Sequence, residues 1–177
     1  MKRALLSLGG AASDVSLEVA IARRSNVLAL NYVLAGNLSG VAIPAPATAP
    51  SRKDGLWENT CFEFFVAPRD AARDAAPYWE FNLAPSGDWN VYHFDDYRQG
   101  RRPEPSFAEL PFSVRRQSWL ALDVQVGLDN FLPAHQPIQL AVSAVIKRTD
   151  NTLTYWALAH GGPEADFHLR ASFIVTL

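Results

Sequence analysis

Residues 77–94, PYWEFNLAPSGDWNVYHF, decide the fold. Two aromatic runs flank APSGD, where Pro85 presets φ, Gly87 permits a positive φ and Asp88 offers a side-chain acceptor. The stretch reads as a β-hairpin with strands PYWEFNL and WNVYHF. A period of two divides each strand between two faces. Trp79, Phe81 and Leu83 form an apolar set that must face a core, and Tyr78, Glu80 and Asn82 form a polar stripe. Across the turn, Trp89, Val91 and His93 oppose Asn90, Tyr92 and Phe94. The polar stripe reads as a solvated face, and its alternative is the floor of a concave site.

Working outward, SLEVAIARR and NVLALNYVLAG alternate around a turn at Arg24-Ser25-Asn26. Residues 40–55 are a proline-rich loop, and NTCFEFFVAP is a strand that ends at Pro68. RDAARDAA, residues 69–76, predicts one or two turns of helix. PFSVRR, SWLALDVQVGL, IQLAVSAVIKR, TLTYWALAH and ASFIVTL supply further strands. About nine or ten short strands without a long amphipathic helix predict an antiparallel β-sandwich, jelly-roll or immunoglobulin-like, with one short helix at most. Residues 1–177 read as one domain.

Composition narrows the partners. The chain has 177 residues, 49% apolar and 19% charged, and a formal net charge of −2, which gives no electrostatic case for nucleic acid or an anionic membrane. Arginine outnumbers lysine thirteen to three, a bias that genome composition explains as well as anion recognition does. A single cysteine, Cys61, excludes an internal disulfide and a thiolate-rich metal site, and its place in CFEFFV makes it a buried, inert thiol. MKRALLSLGGAASD has the outline of a signal peptide, but its apolar part is short and broken by Gly9-Gly10, so a cytoplasmic protein is expected. No run approaches the roughly 18 apolar residues that span a bilayer. His93, His135, His160 and His168 lack metal-ligand spacing, and neither a nucleophile elbow, a phosphate loop nor a dinucleotide fingerprint occurs. No enzyme activity and no metal are expected.

Candidate binding groups come from strand alternation. In NTCFEFFV, Cys61, Glu63 and Phe65 share a face, so Glu63 is a carboxylate among apolar neighbours. Burying it unpaired costs several kcal/mol, so it requires an arginine, another donor or a ligand hydroxyl. Trp57 precedes that strand in DGLWENT, and Trp156 sits in LTYWALAH. Indole rings stack on the C–H faces of sugars, and carboxylates, amides and guanidiniums bind the hydroxyls. Both tryptophans read equally well as core residues.

The motifs LWENTCFEFF, YWEFNLAPSGDWNVYHFDDYR and YWALAHGGPEADFH resemble a bacterial subgroup of the DOMON-like superfamily, sandwiches related to family-9 carbohydrate-binding modules. That resemblance implies a sugar held between two tryptophans. Trp57 and Glu63 match a tryptophan six residues before a strand glutamate, and Trp156 matches the second ring. Asn82 and Asn90 are the candidate amides, and the arginine has no assigned position. The resemblance also includes haem-binding members with methionine as an axial ligand. Met1 is the only methionine here, so no cofactor is expected and haem is the lesser alternative. The expectation is a non-catalytic small-ligand domain that binds a saccharide. Its alternatives are a b-type haem domain, a protein-interaction module, or a hydrolase pairing Glu63 with Glu80 or Asp88.

Overall fold

A computed structural model describes residues 1–10, 13–69 and 77–177. All named strand pairs are antiparallel, as alternating sequence joined by short turns requires. The first sheet contains β1 (Lys2–Ser7), β2 (Val15–Arg24), β3 (Val27–Gly36), then β9 (Leu120–Gly127) and β8 (Phe112–Arg116), in the order β1-β2-β3-β9-β8. The second runs β7 (Arg102–Pro103), β6 (Trp89–Phe94), β5 (Tyr78–Leu83), β4 (Cys61–Pro68), β10 (Ile138–Lys147) and β11 (Leu153–Ala157). A final short strand, β12 (Val175–Thr176), lies beside the start of β10.

The sheets are not separate. β1 pairs with β2 through Lys2–Leu5 and then with β11 through Leu6 and Ser7, so one strand carries the ladder around the edge of the sandwich. Lys2–Ser7, within the segment that had the outline of a signal peptide, forms this linking strand. The helix expected over RDAARDAA falls on residues 70–76, outside the described residues. Elsewhere the helical elements among the described residues are three-residue 3-10 turns.

Alternation builds the core between the sheets. Leu17, Val19 and Ile21 of β2 and Leu28, Leu30, Tyr32 and Leu34 of β3 point inward. They meet Phe62, Phe64 and Val66 of β4 and Phe81, Leu83 and Val91 of the hairpin. Phe64 stacks on Phe81 at 4.4 Å. Across this core the Tyr32 hydroxyl donates to the Glu63 carbonyl at 2.7 Å, which satisfies a phenol that burial would otherwise penalise. Cys61 is fully buried and unpaired, and burial pushes its thiol pKa up.

The opposite face of the second sheet is covered as well. Phe65, Tyr78, Tyr92, Phe94, Val145 and Ala157 form a second apolar cluster, closed by Phe167 and Phe173 from the C-terminal loop. The solvated face expected from Tyr78, Glu80 and Asn82 is therefore corrected: all three are buried. A polar stripe under a covering loop has the same sequence period as one in water.

Candidate ligand-binding site

Two irregular segments convert that covered face into a cavity. The loop before β4 is pinned along β6. The Arg52 guanidinium donates to Asn90 Oδ1 at 2.9 Å and lies 4.4 Å over the Trp89 ring, and Lys53 Nζ pairs with Asp88 at 2.9 Å. The chain then turns through Leu56–Glu58, which sets the half-buried Trp57 edge-on to Tyr92 at 6.0 Å. Gly87, with φ +96°, makes the hairpin turn, and a Cβ there would come within 2.9 Å of Pro50.

The second segment is the loop after β6. Gly100 takes φ +66° at a point where a Cβ would strike Asp95. This loop delivers Arg98, which pairs with Asp166 at 3.0 Å, and Arg101, which lies 5.0 Å over Tyr92 and 5.5 Å over Trp57. Asp166 belongs to the C-terminal loop, so its pairing with Arg98 ties that loop to the one after β6.

Between these covers lies a cavity of about 420 Å³, the size of a small-ligand pocket. Trp57, Phe94, Tyr155 and Phe167 contribute aromatic surface, and Glu63 and Glu80 contribute acid. Arg98, Arg101 and His168 also line it. Glu63 and Glu80 sit on adjacent strands and share a face, because Glu63 pairs with Asn82 and Phe65 with Glu80 in the ladder.

The two carboxyls are buried, 2% and 6% exposed. Burial, followed by the charge of Glu80, pushes the Glu63 pKa well above its ordinary range. Burial raises Glu80 to about 7 against the Asn82 hydrogen bond and the nearby arginines. Glu63 Oε1 has no hydrogen-bond partner, and its other oxygen accepts only from Ser143 Oγ at 3.5 Å. The arginine partner that sequence reasoning allowed for Glu63 is not in contact with it.

His168 is held neutral. Burial and then the Arg98 charge lower its pKa to about 4. Its Nδ1 lies 2.8 Å from the Tyr78 hydroxyl, and that oxygen also accepts from the Arg98 amide at 3.2 Å.

Of the five residues singled out from sequence, Trp57 and Glu63 line this cavity and three do not. Trp156 faces the core between the sheets at 5% exposure, paired with Ala144, and its indole donates to Thr154 Oγ1 at 3.1 Å. Alternation along β11 brings its neighbour Tyr155 to the cavity instead. Asn82 is fully buried and donates to Glu80 Oε1 at 2.9 Å, so it orients an acid from behind. Asn90 is consumed by the pinned loop, donating to the Lys53 carbonyl at 2.8 Å and the Tyr92 hydroxyl at 2.7 Å. Glu80 and Tyr155 were recoverable from period two, whereas Arg98 and Arg101 lie on a loop with no periodic signal.

No protein-family model matches the chain, and no curated protein matches it. Among solved structures, it is similar to a provisionally assigned carbohydrate-binding protein from Bacteroides uniformis ATCC 8492. The TM-score is 0.71 at 15% identity, over 98% of this chain and 84% of the other, which establishes a shared fold. A family-9 carbohydrate-binding module from Caldicellulosiruptor kristjanssonii in complex with glucose aligns with a TM-score of 0.48 at 9% identity, over 86% of this chain and 72% of the module.

Proposed function

We propose that the chain binds a small saccharide in the cavity on the outer face of the second sheet, without making or breaking a bond. The observation that carries the reading is the pairing of half-buried aromatics, Trp57 and Tyr155, with buried acids in one cavity. Aromatic faces suit the apolar C–H surface of a pyranose, and carboxyls suit its hydroxyls. A volume of about 420 Å³ matches one or two sugar rings. The fold shared with the Bacteroides uniformis protein supports the same reading.

In this reading Trp57 and Tyr155 are stacking surfaces, Glu63 and Glu80 are acceptors, and Asn82 holds Glu80 in position. Arg98 and Arg101 supply donors at the rim. No cofactor takes part, so the purified protein should show no haem absorption band. Thermal-shift and calorimetric titration with mono- and disaccharides tests the proposal. Saturable binding lost in Trp57→Ala and Tyr155→Ala, with the saccharide recovered unchanged, is the expected result. Binding that survives both substitutions would place the ligand elsewhere.

A further inference from the structure

Glu63 is the least satisfied polar group in the cavity. It is buried at 2% exposure, one oxygen has no partner, and the other meets a hydroxyl at 3.5 Å. A second buried acid, Glu80, stands on the next strand and the same face, held by an amide that donates one hydrogen bond. No cation of the described residues forms an ion pair with either acid: Arg98 is paired with Asp166, and Arg101 with Asp54 at 3.7 Å. Two carboxyls concentrated at low dielectric without a bonded cation are driven toward their protonated forms, and a bound cation is what would let them ionise.

We propose that the ligand of this cavity carries a protonated amine, which docks against Glu63 Oε1 and the neighbouring Glu80. The inference rests on the saccharide reading for the ring alone, and its saccharide form is an amino sugar. A neutral hydroxyl would satisfy one lone pair and leave the acids in their protonated forms. An ammonium group brings three donors and one positive charge, which favours the ionised form of the carboxyl beside it. The surrounding Trp57, Phe94, Tyr155 and Phe167 add aromatic surface, which attracts cations through the ring face. The rim arginines do not contradict this, because each already faces a carboxylate of its own.

The test is calorimetry at neutral pH with four probes: glucosamine, glucose, N-acetylglucosamine and cyclohexylammonium. The proposal expects glucosamine to bind at least about tenfold tighter than glucose or the neutral amide. Glu63→Gln, a near-isosteric change that removes the charge, should bring glucosamine down to the level of glucose. Glu80→Gln should act in the same direction. If glucose binds and glucosamine has no advantage, the amine inference falls while the saccharide reading stands. If no sugar binds but cyclohexylammonium does, with loss in Glu63→Gln, the amine site stands and the saccharide reading falls. If no amine binds at all, the inference is overturned.

Discussion

Strands β2 and β4 differ in character although both lie inside the sandwich. Along β2, burial alternates from Val15 to Ile21, with Glu18 on the wet side pairing with Lys2 at 2.7 Å. Along β4, every residue from Cys61 to Ala67 is buried, and β5 is buried throughout. The first sheet therefore has one dry face and one solvated face, the ordinary state of an antiparallel sheet. The second sheet has two covered faces: the one toward the first sheet is filled by apolar packing, and the outer one combines a smaller apolar cluster with buried acids and a cavity. Where the outer face is covered by loops, polar groups such as Glu63 and Glu80 are retained at an energetic cost, and a cavity remains. Buried acids that stability does not require are a sign of binding.

The comparison can be broken first at the packed face. Phe64→Ala removes a ring stacked on Phe81 and should cost about 3–5 kcal/mol in chemical denaturation. A cost near 1 kcal/mol would mean that the two faces of this sheet do not differ in packing as described.

Glu80 gives the next effect, and its sign is fixed. Its folded pKa is about 7 against an ordinary 4.5, so the folded chain keeps a proton that the unfolded chain releases between those values. Its contribution is full below about 4.5 and is lost as pH rises through 7. Glu80→Gln should therefore gain on the parent chain by about 3 kcal/mol between pH 4.5 and pH 8, followed by urea denaturation at each pH. His168, lowered to about 4, has the opposite slope and is present in both chains, so it largely drops out of the difference. A gap that does not widen with pH would mean that Glu80 is solvated like a surface acid.

Trp57→Ala separates binding from stability. Affinity for the bound saccharide should fall at least tenfold, about 1.4 kcal/mol, with stability changed by only about 1 kcal/mol, because the ring is half-buried on a loop. Collapse of stability would make Trp57 a core residue. At the small end, Glu18→Gln on the wet face of β2 should move stability by no more than about 0.5 kcal/mol, since its lysine partner is well exposed.

Much of the fold was legible because alternation and turn chemistry are local. The 77–94 hairpin with Gly87 at its turn, and the inward set of Phe62, Phe64 and Phe81, follow from period two and from a residue that tolerates positive φ. The site was less legible for a physical reason. Period two states which residues share a face but not what covers it, so the stripe of Tyr78, Glu80 and Asn82 carried no sign of the loops above it. Trp156 and the cavity are separated by one residue: alternation sends Trp156 into the core and Tyr155 to the cavity. Asn90 was lost to a long-range partner, Arg52, that lies 38 positions away and leaves no trace in local pattern.

The central claim is that the cavity between Trp57, Tyr155 and the paired acids is where a small saccharide binds. A heteronuclear NMR titration of the indole N–H signals with neutral and amino monosaccharides tests it most directly. The account predicts that the Trp57 signal moves with saturation, while those of Trp79, Trp89 and Trp156, set in the core, stay in place. Saturating shifts centred on Trp119 beside Arg115, or none at Trp57 with any sugar, would contradict it.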